Sequence, residues 1–173
     1  MSLLAVTVIG HDRPGIIAET TAALARLGGN LEDSTMTILR GHFAMVLLVS
    51  ADVRAGDVEA GLAVLTVDGT LKVTVREVPQ EPDVAPTGAT AYLLSVHGAD
   101  RPGIVSAVTA VVASGGGNIT DLSTRLTGEL YVLLAEVDLP ASADAAGLGA
   151  RLARVADSLG VEVSLTPIDS DLM

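Results

Sequence analysis

An internal repeat limits the fold of this chain more than any other feature of its sequence. The segment GHDRPGI at residues 10–16 returns as GADRPGI at residues 98–104. At the same spacing, and with no gap, the GGN triplet at residues 28–30 matches a second GGN at residues 116–118. Similarity that recurs at a fixed spacing indicates a duplicated structural unit. The sequence therefore predicts two copies of one fold.

A proline-rich segment separates the two copies. Residues 79–88 contain three prolines and a glycine, which break helices and remove donors from strand hydrogen bonding. A chain of 173 residues is long enough for two small domains of about 80 to 90 residues each. We predict a first domain over residues 1–78, a short and fairly stiff linker over 79–88, and a second domain over 89–173.

Hydrophobic periodicity in each copy predicts the order strand, helix, strand, strand, helix, strand. This βαββαβ order predicts an α+β fold of two ferredoxin-like domains, each with an antiparallel sheet that carries both helices on one face. In the first copy the predicted elements cover residues 3–9, 14–27, 31–39, 41–50, 57–65 or slightly beyond, and 71–78. The first helix has core-compatible spacing of Ile16, Thr20, Ala23, Leu24 and Leu27.

The first helix of the second copy conflicts with local propensity. Residues 105–112 are rich in β-branched side chains, which favour a strand. The aligned segment of the first copy is a better helix former, so the repeat predicts a helix here too. Its core positions would be Ile104, Val108, Val111, Val112 and Gly115.

A ferredoxin-like unit leaves one face of its sheet without helices. The predicted strand FAMVLLV at residues 43–49 is apolar at every position, so an uncovered face would expose a hydrophobic patch. We expect the sister copy or another chain to cover this face or a sheet edge. This expectation predicts a stable homodimer.

Charge and composition exclude several classes of function. The chain has 10 Lys and Arg against 21 Asp and Glu, a formal net charge of −11, with 2% aromatic residues and no Trp. Binding to nucleic acid needs clustered basic residues or stacking aromatic side chains, so no direct contact with nucleic acid is expected. The absence of cysteine removes thiol nucleophiles, thiolate metal sites and disulfides, which fits a cytoplasmic protein.

Neither export nor membrane insertion is predicted. The apolar start at residues 3–9 has no basic residue before it and no small-residue cleavage site after it, so it is interpreted as a buried strand. No apolar run approaches the roughly 18 to 20 residues that span a bilayer.

The sequence contains no recognisable catalytic or metal-binding motif. His11, His42 and His97 lack HxH or HExxH spacing and are interpreted as structural or surface groups. Nucleophile elbows and phosphate-binding glycine loops are also absent. We therefore expect a protein that is not an enzyme and that needs no cofactor or metal.

The turns at residues 10–15 and 98–103 are the places where a ligand is most readily bound. Pro14 and Pro102 fit the first position of a helix, where a missing N–H group costs nothing. In the first copy, the N–H groups of residues 15–17 would then have no acceptor within the helix. Together with the helix dipole, such groups favour a carboxylate or a phosphate.

The charged residues of these turns have two interpretations each. Asp12 and Asp100 either cap or flank the helix, or bind the ammonium of an α-amino acid whose carboxylate lies on the helix amides. Arg13 and Arg101 are either solvated or paired with an acidic neighbour, or they contact a ligand or an interface.

The GGN triplets also have two interpretations, which are compatible. Glycine followed by asparagine is typical of a left-handed helix end and a turn. Asn30 and Asn118 also offer an amide donor and an amide acceptor, which could hold a small zwitterion at a sheet edge.

Taken together, an apolar strand, GxDRPGI at the start of a helix, and GGN before the second strand resemble tandem ACT domains. The resemblance covers essentially the whole chain outside the linker and includes both copies of the motif. A chain of two such domains is similar to the family of the glycine cleavage system transcriptional repressor. The resemblance implies a regulatory module that binds amino acids or related small molecules and acts on a partner through dimer or domain contacts.

The resemblance also implies site residues. In ACT domains that bind amino acids, the ligand usually lies at a domain interface, against the first strand-to-helix loop and the start of the second strand. Carried over by motif, these positions are Asp12, Arg13, Pro14, Gly15, Asn30, Asp100, Arg101, Pro102, Gly103 and Asn118. His11 is replaced by Ala99 and Glu32 by Thr120, so two inequivalent sites, or one active site and one structural copy, are both open.

Two other functions are open at this level. A ligand-independent interaction module would use its acidic surface to meet a basic partner such as a DNA-binding regulator. A small enzyme of an unrecognised kind would use Asp12 and Asp100 as acid or base.

Overall fold

The computed structural model describes residues 1–80 and 88–168. These residues form two compact units, one before and one after residues 81–87. Residues 81–87, which make up most of the predicted linker, and residues 169–173 lie outside the described residues. The predicted domain limits and the stiffness of the linker therefore remain predictions.

Each unit follows the predicted βαββαβ order. The elements of the first unit are β1 (Ser2–His11), α1 (Ile16–Arg26), β2 (Asn30–Leu39), β3 (His42–Ala51), α2 (Ala55–Leu62), a 3-10 helix (Ala63–Thr66) and β4 (Leu71–Val78). The elements of the second unit are β5 (Thr90–Ala99), α3 (Ile104–Ser114), β6 (Asn118–Thr127), β7 (Leu130–Leu139), α4 (Ala145–Leu159) and β8 (Val161–Pro167).

Both sheets are antiparallel and have the same topology. Their strand orders are β2-β3-β1-β4 and β6-β7-β5-β8. The first and third strands of each unit are central, and the second and fourth strands form the edges. This arrangement confirms the predicted α+β, ferredoxin-like fold.

One face of each sheet is buried beneath its helices. In the first unit Val6 of β1 pairs with Leu47 of β3, and both belong to one core with Leu24 of α1 and Leu62 of α2. Because both helices contribute to the same core, they lie on the same face of the sheet. The equivalent core of the second unit includes Leu94, Val96, Val108, Val112, Leu148 and Leu152.

Most of the predicted core positions of the first helix in each unit are confirmed, whereas Leu27 and Val111 are only partly buried against the cores and Gly115 is the C-cap of α3. In α1 the buried residues are Ile16, Thr20, Ala23 and Leu24. The segment rich in β-branched residues is helical, and Val108 and Val112 of α3 are fully buried. Burial of a valine side chain is worth about 1.5 kcal/mol or more, which outweighs a propensity penalty of roughly 0.5 kcal/mol per residue.

Both GGN triplets end their helices as predicted. Gly28 and Gly116 are left-handed, with φ of 73° and 78°. The N–H of Gly28 donates to the Ala25 carbonyl at 3.0 Å, and the N–H of Gly29 donates to the Leu24 carbonyl at 3.0 Å. These two bonds define a Schellman motif, and α3 ends in the same way.

Three helix starts differ from the prediction, and one of them is that of α3, which begins at Ile104 and not at Pro102. α1 begins at Ile16, not at Pro14, because Gly15 adopts a left-handed φ of 94° and serves as the N-cap. α2 begins at Ala55, two residues before the predicted start, and Arg54 pairs there with Asp57 at 3.0 Å. α2 itself ends at Leu62 and continues as the 3-10 helix to Thr66.

Membrane-spanning helices are not found in residues 1–80 and 88–168, where no helix is both long and apolar enough to cross a bilayer. The longest helix described, α4, has 15 residues.

Candidate functional site

The turn between β1 and α1 lines a pocket. Asp12, Arg13, Pro14 and Gly15 border an open cavity of about 360 Å³. Its other lining residues are Ile16, Ile17 and Ala18 of α1, Met36 and Ile38 of β2, and Phe43 of β3. The cavity is therefore apolar along β2 and polar at the turn.

Backbone conformation leaves the start of α1 without a side-chain cap. Gly15 at the N-cap has no side chain, and no other side chain accepts a hydrogen bond there. The Glu19 N–H donates to the Gly15 carbonyl at 2.9 Å and closes the first turn. The N–H groups of Ile16, Ile17 and Ala18 precede this bond and have no acceptor within the helix. These groups carry the partial positive charge of the helix dipole.

The position of Pro14 corrects the prediction for this turn. Pro14 lies in the turn before the N-cap and not at the first helical position. Because the helix starts two residues later, the unpaired N–H groups of its first turn extend to Ala18. The same correction applies to Pro102, since Gly103 is the left-handed N-cap of α3 with φ of 92°.

Asp12 and Asp100 flank their helices without capping them. No side chain accepts a cap hydrogen bond at the start of α1 or of α3, so the capping interpretation is wrong. The Asp12 N–H donates to the Gly41 carbonyl at 3.0 Å, which holds the turn against the β2–β3 hairpin. The exposed Asp12 side chain borders the cavity.

Arg13 is paired with an acidic neighbour, which confirms one of its two interpretations. Its Nη1 donates to Glu19 Oε1 at 2.9 Å and its Nη2 donates to Glu19 Oε2 at 2.8 Å. This bidentate hydrogen bonding raises the pKa of Arg13 and lowers the pKa of Glu19. The positive charge of Arg13 is therefore largely balanced by Glu19.

Arg101 differs from Arg13 although the two occupy equivalent positions. The residue equivalent to Glu19 in the second unit is Ala107. In the part of the chain that the structure describes, Arg101 makes no ion pair, and its guanidinium lies near Gly160, the C-cap of α4. The two turns are therefore electrostatically inequivalent.

The pocket at the β5–α3 turn of the second unit is smaller than the pocket at the β1–α1 turn of the first unit. It has a volume of about 270 Å³ and is lined by Asp100, Arg101, Gly103, Ile104, Val105, Ser106 and Tyr131. The Ser106 hydroxyl donates to the Gly103 carbonyl at 3.0 Å, and Pro102 is absent from the pocket lining. The sequence reasoning did not single out Ser106 or Tyr131.

Within each unit, the asparagine of the GGN triplet does not line the pocket at the strand-to-helix turn. Asn118 lines a separate open cavity of about 510 Å³ beside α3, together with Ser106, Thr109 and Gly117. Asn30 is exposed at the start of β2 and is absent from the lining of the turn pocket. A ligand contact by either asparagine remains a prediction.

Three residues of the candidate site are not predicted from the sequence: Glu19, which binds Arg13, and Met36 and Ile38, which line the pocket. A signal for Glu19 was present, because the repeat replaces it with Ala107 where the neighbouring motif is unchanged. No comparable signal marks Met36 and Ile38, because they reach the pocket through the pairing of β2 with β3.

Comparisons with known proteins identify both units. The ACT domain family model matches residues 2–75 and 90–166. The glycine cleavage system transcriptional repressor of Escherichia coli (strain K12) is 25% identical over 174 residues, covering 96% of this chain and 90% of that protein. A UPF0237 protein of Methanopyrus kandleri is 49% identical over 61 residues, which are 35% of this chain and 66% of that protein.

A solved structure has the same fold. The crystal structure of an unknown protein from Galdieria sulphuraria matches this chain with a TM-score of 0.81 and 31% sequence identity, covering 97% of this chain and 99% of that chain. The match to the family model agrees with the resemblance to ACT domains that the repeated GxDRPGI motif carries. The chain therefore belongs to the ACT domain family, with one ACT domain matched in residues 2–75 and another in residues 90–166.

Proposed function

We propose that this protein is a non-catalytic regulator that binds an amino acid or a related small molecule and passes the binding event to a partner protein. The observation that carries the proposal is the uncapped start of α1 and of α3, each beside a pocket lined by an Asp and an Arg. Unpaired helix N–H groups favour a carboxylate, and an Asp carboxylate favours an ammonium. An α-amino acid carries both groups.

Each proposed contact has a chemical role. The ligand carboxylate would lie on the amides that follow Gly15 or Gly103, and its ammonium would meet Asp12 or Asp100. The asparagines lie apart from the turn pockets within each unit, so we propose that the ligand binds at an ACT domain interface, where a neighbouring domain supplies its asparagine. The remaining proposed contacts are Arg13, Pro14, Asn30, Arg101, Pro102 and Asn118.

The second domain is proposed as the stronger ligand site. Arg13 already binds Glu19 through two short hydrogen bonds, whereas Arg101 has no carboxylate partner among the described residues. A ligand carboxylate that reaches Arg101 therefore displaces no internal ion pair.

We further propose a cytoplasmic homodimer that acts on a protein partner such as a transcriptional regulator, without contacting nucleic acid or membrane itself. Apolar side chains lie exposed on the sheet faces without helices, including Val46 at 42% and Leu134 at 42%, which supports association. The net charge of −11 suits a basic partner. The Escherichia coli relative is named as a transcriptional repressor.

A thermal-shift screen against single amino acids tests the ligand proposal. A ligand that binds the native state must raise the melting temperature in a concentration-dependent way. We expect such a shift for one or a few related amino acids, and we expect Asp100→Asn and Asn118→Ala each to reduce it. Asp157→Asn, an exposed position on α4, is the matched control. A flat response to every amino acid at millimolar concentration, about −4 kcal/mol of binding, would contradict the proposal.

A ligand-independent interaction module is the second candidate, favoured by the same exposed apolar side chains. Under this alternative a purified protein partner binds equally well with and without amino acids. A pull-down performed in both conditions separates the two candidates.

A further inference from the structure

Two histidines that are distant in sequence stand side by side in the first unit. His11 ends β1 and His42 begins β3, and the two are directly opposite in the register of these strands. Both side chains are exposed. They lie on the outer face of the first sheet, the side away from the helices, where Ile9 and Val46 also lie.

The local hydrogen bonding gives this pair the closest cross-strand separation. The His11 N–H donates to the Thr70 carbonyl at 3.0 Å, away from β3, whereas the Asp12 N–H donates to the Gly41 carbonyl at 3.0 Å. His11 and His42 are therefore a non-hydrogen-bonded pair. In such pairs the Cα atoms are about 4.5 Å apart, and the side chains lie closer than at hydrogen-bonded positions.

The positions of both residues are held by the backbone. A two-residue hairpin precedes His42, and both of its residues, Arg40 and Gly41, have positive φ of 51° and 83°. Positive φ at both central residues is typical of a type I′ turn, the tight turn that matches strand twist. His11 is paired on both sides, with β3 and with Thr70 beside β4. The two Cα atoms are thus fixed, and only the exposed rings can rotate.

The rings are placed so that one ion can reach both. Their centroids are 6.3 Å apart and their planes are inclined at 85°. A zinc–nitrogen bond is about 2.0–2.1 Å, so two nitrogens that share an ion lie within roughly 4 Å of each other. Because both rings are exposed, we expect rotation about their side-chain bonds to bring one nitrogen of each ring within this distance.

We propose that His11 and His42 form a two-histidine site for a divalent transition-metal ion such as Zn²⁺ or Ni²⁺. Imidazole is a preferred ligand of these ions, whereas Mg²⁺ prefers oxygen. Within residues 1–80 and 88–168 no group of three or more His, Cys, Asp or Glu is arranged to hold a metal. The two imidazoles are therefore the ligands that these residues supply, so the ion binds reversibly instead of holding the fold together.

The second unit provides a contrast to this site. The positions equivalent to His11 and His42 are Ala99 and Leu130, which are also directly opposite. His97, elsewhere on the second sheet, already uses its Nε2 to contact Glu162 at 3.1 Å. The proposed site is therefore confined to the first unit, and it does not depend on the proposed amino-acid binding.

Isothermal titration of the untagged full chain with ZnCl₂ or NiCl₂ at neutral pH tests the proposal. We expect one ion to bind per chain, and His11→Gln and His42→Gln each to weaken binding by roughly tenfold or more, since even loss of an outer-shell partner costs 10- to 100-fold. His97→Gln is the matched control and should leave the affinity unchanged, and MgCl₂ should not compete.

Three results would overturn the proposal. One is the absence of zinc and nickel binding up to millimolar concentration, and another is undiminished binding in both His11→Gln and His42→Gln. The third is an equal loss in His97→Gln, which would place the ion elsewhere. Far-UV circular dichroism of each variant establishes that it is folded, and His42→Asn serves as a second substitution if His42→Gln unfolds.

Discussion

At the residue scale, the two domains differ most in the partners of their turn arginines. Arg13 binds Glu19 through two hydrogen bonds, whereas the second domain has Ala107 at the position equivalent to Glu19 and the Arg101 guanidinium lies near Gly160. The arginine of the DRPG motif is thus paired with a carboxylate in the first domain, and it has no carboxylate partner among the described residues in the second. The difference arises outside the motif, from one substitution in the following helix.

The pH dependence of stability should reveal the Arg13–Glu19 pair. Its hydrogen bonds lower the folded-state pKa of Glu19 below the ordinary value of 4.5. A lowered folded-state pKa contributes stability that is present above the unfolded-state pKa and is lost as pH falls through the folded-state pKa. We expect Glu19→Gln to be slightly less stable than wild type at neutral pH, and the difference to vanish in acid, as measured by urea unfolding over a pH series.

Glu59→Gln is the control for this series. Glu59 is exposed on α2 and makes no ion pair among the residues that the structure describes. Because both partners of the Arg13–Glu19 pair are partly exposed, at 33% and 49%, salt should also shrink the difference. A stability difference for Glu19→Gln that persists in acid would contradict the ion-pair explanation.

Moving the acidic neighbour from Arg13 to Arg101 should reverse the relative ligand affinities of the two turns, if the proposed amino-acid binding holds. Ala107→Glu should engage Arg101 and weaken ligand binding by about tenfold, since a hydrogen bond to a charged group is worth about 1.5 kcal/mol or more. Glu19→Ala should strengthen binding in the first domain. Calorimetric titration with the amino acid found in the thermal-shift screen measures both, and unchanged affinity in Ala107→Glu would exclude Arg101 as a contact.

At the element scale, α1 and α3 each start at a glycine with positive φ. Gly15 and Gly103 serve as N-caps at φ of 94° and 92°, a region that L-residues with a side chain rarely adopt. This conformation turns the chain sharply into the helix and leaves the first N–H groups uncapped. The same glycine therefore shapes both the helix start and the candidate site.

Two alanine substitutions in the second unit should act in opposite directions. Gly103→Ala should lower the free energy of unfolding by about 1–2 kcal/mol, the cost of a left-handed residue with a side chain. Gly149→Ala, within α4, meets no atom within 4 Å and should raise it by about 1 kcal/mol, the helix-propensity difference. Urea unfolding measures both, and a neutral Gly103→Ala would show that the turn adopts another conformation.

At the scale of the whole molecule, the sheet faces without helices set the expected assembly. Ile9 is 49% exposed and Val46 is 42% exposed on the outer face of the first sheet. In the second sheet, Leu93 and Leu134 are 40% and 42% exposed. Contiguous apolar side chains at a surface favour association, and the edge strands β2, β4, β6 and β8 offer further unpaired backbone groups.

Sedimentation at micromolar concentration should detect a homodimer. Val46→Asp places a charge in the centre of the outer face and should shift the protein to monomer, because burial of an unpaired carboxylate is costly. Glu59→Lys, an exposed change on α2, should leave the dimer intact. Wild-type protein that sediments only as a 17.5 kDa monomer would contradict the expectation.

Much of the architecture follows from local pattern in the sequence. The repeat predicts the duplicated βαββαβ unit, the 3.6-residue spacing predicts the buried face of α1, and the GGN triplets predict the helix ends. The buried helix face and the helix ends depend on residues close together in the chain, so periodicity and turn chemistry predict them directly. The repeat even overrides the strand propensity of residues 105–112, because two aligned segments must share one fold.

Contacts between side chains of different elements do not follow from local sequence pattern, because they depend on how the elements pack. The left-handed Gly15 makes α1 start after Pro14, and Glu19 of its first turn binds Arg13. The register of β1 with β3 placed His11 opposite His42, although their spacing in the sequence matches no metal motif. A shift of register by one residue would turn either side chain to the other face of the sheet. Sequence pattern therefore determines where helices and strands form. Backbone register and turn conformation determine which side chains of different elements come together.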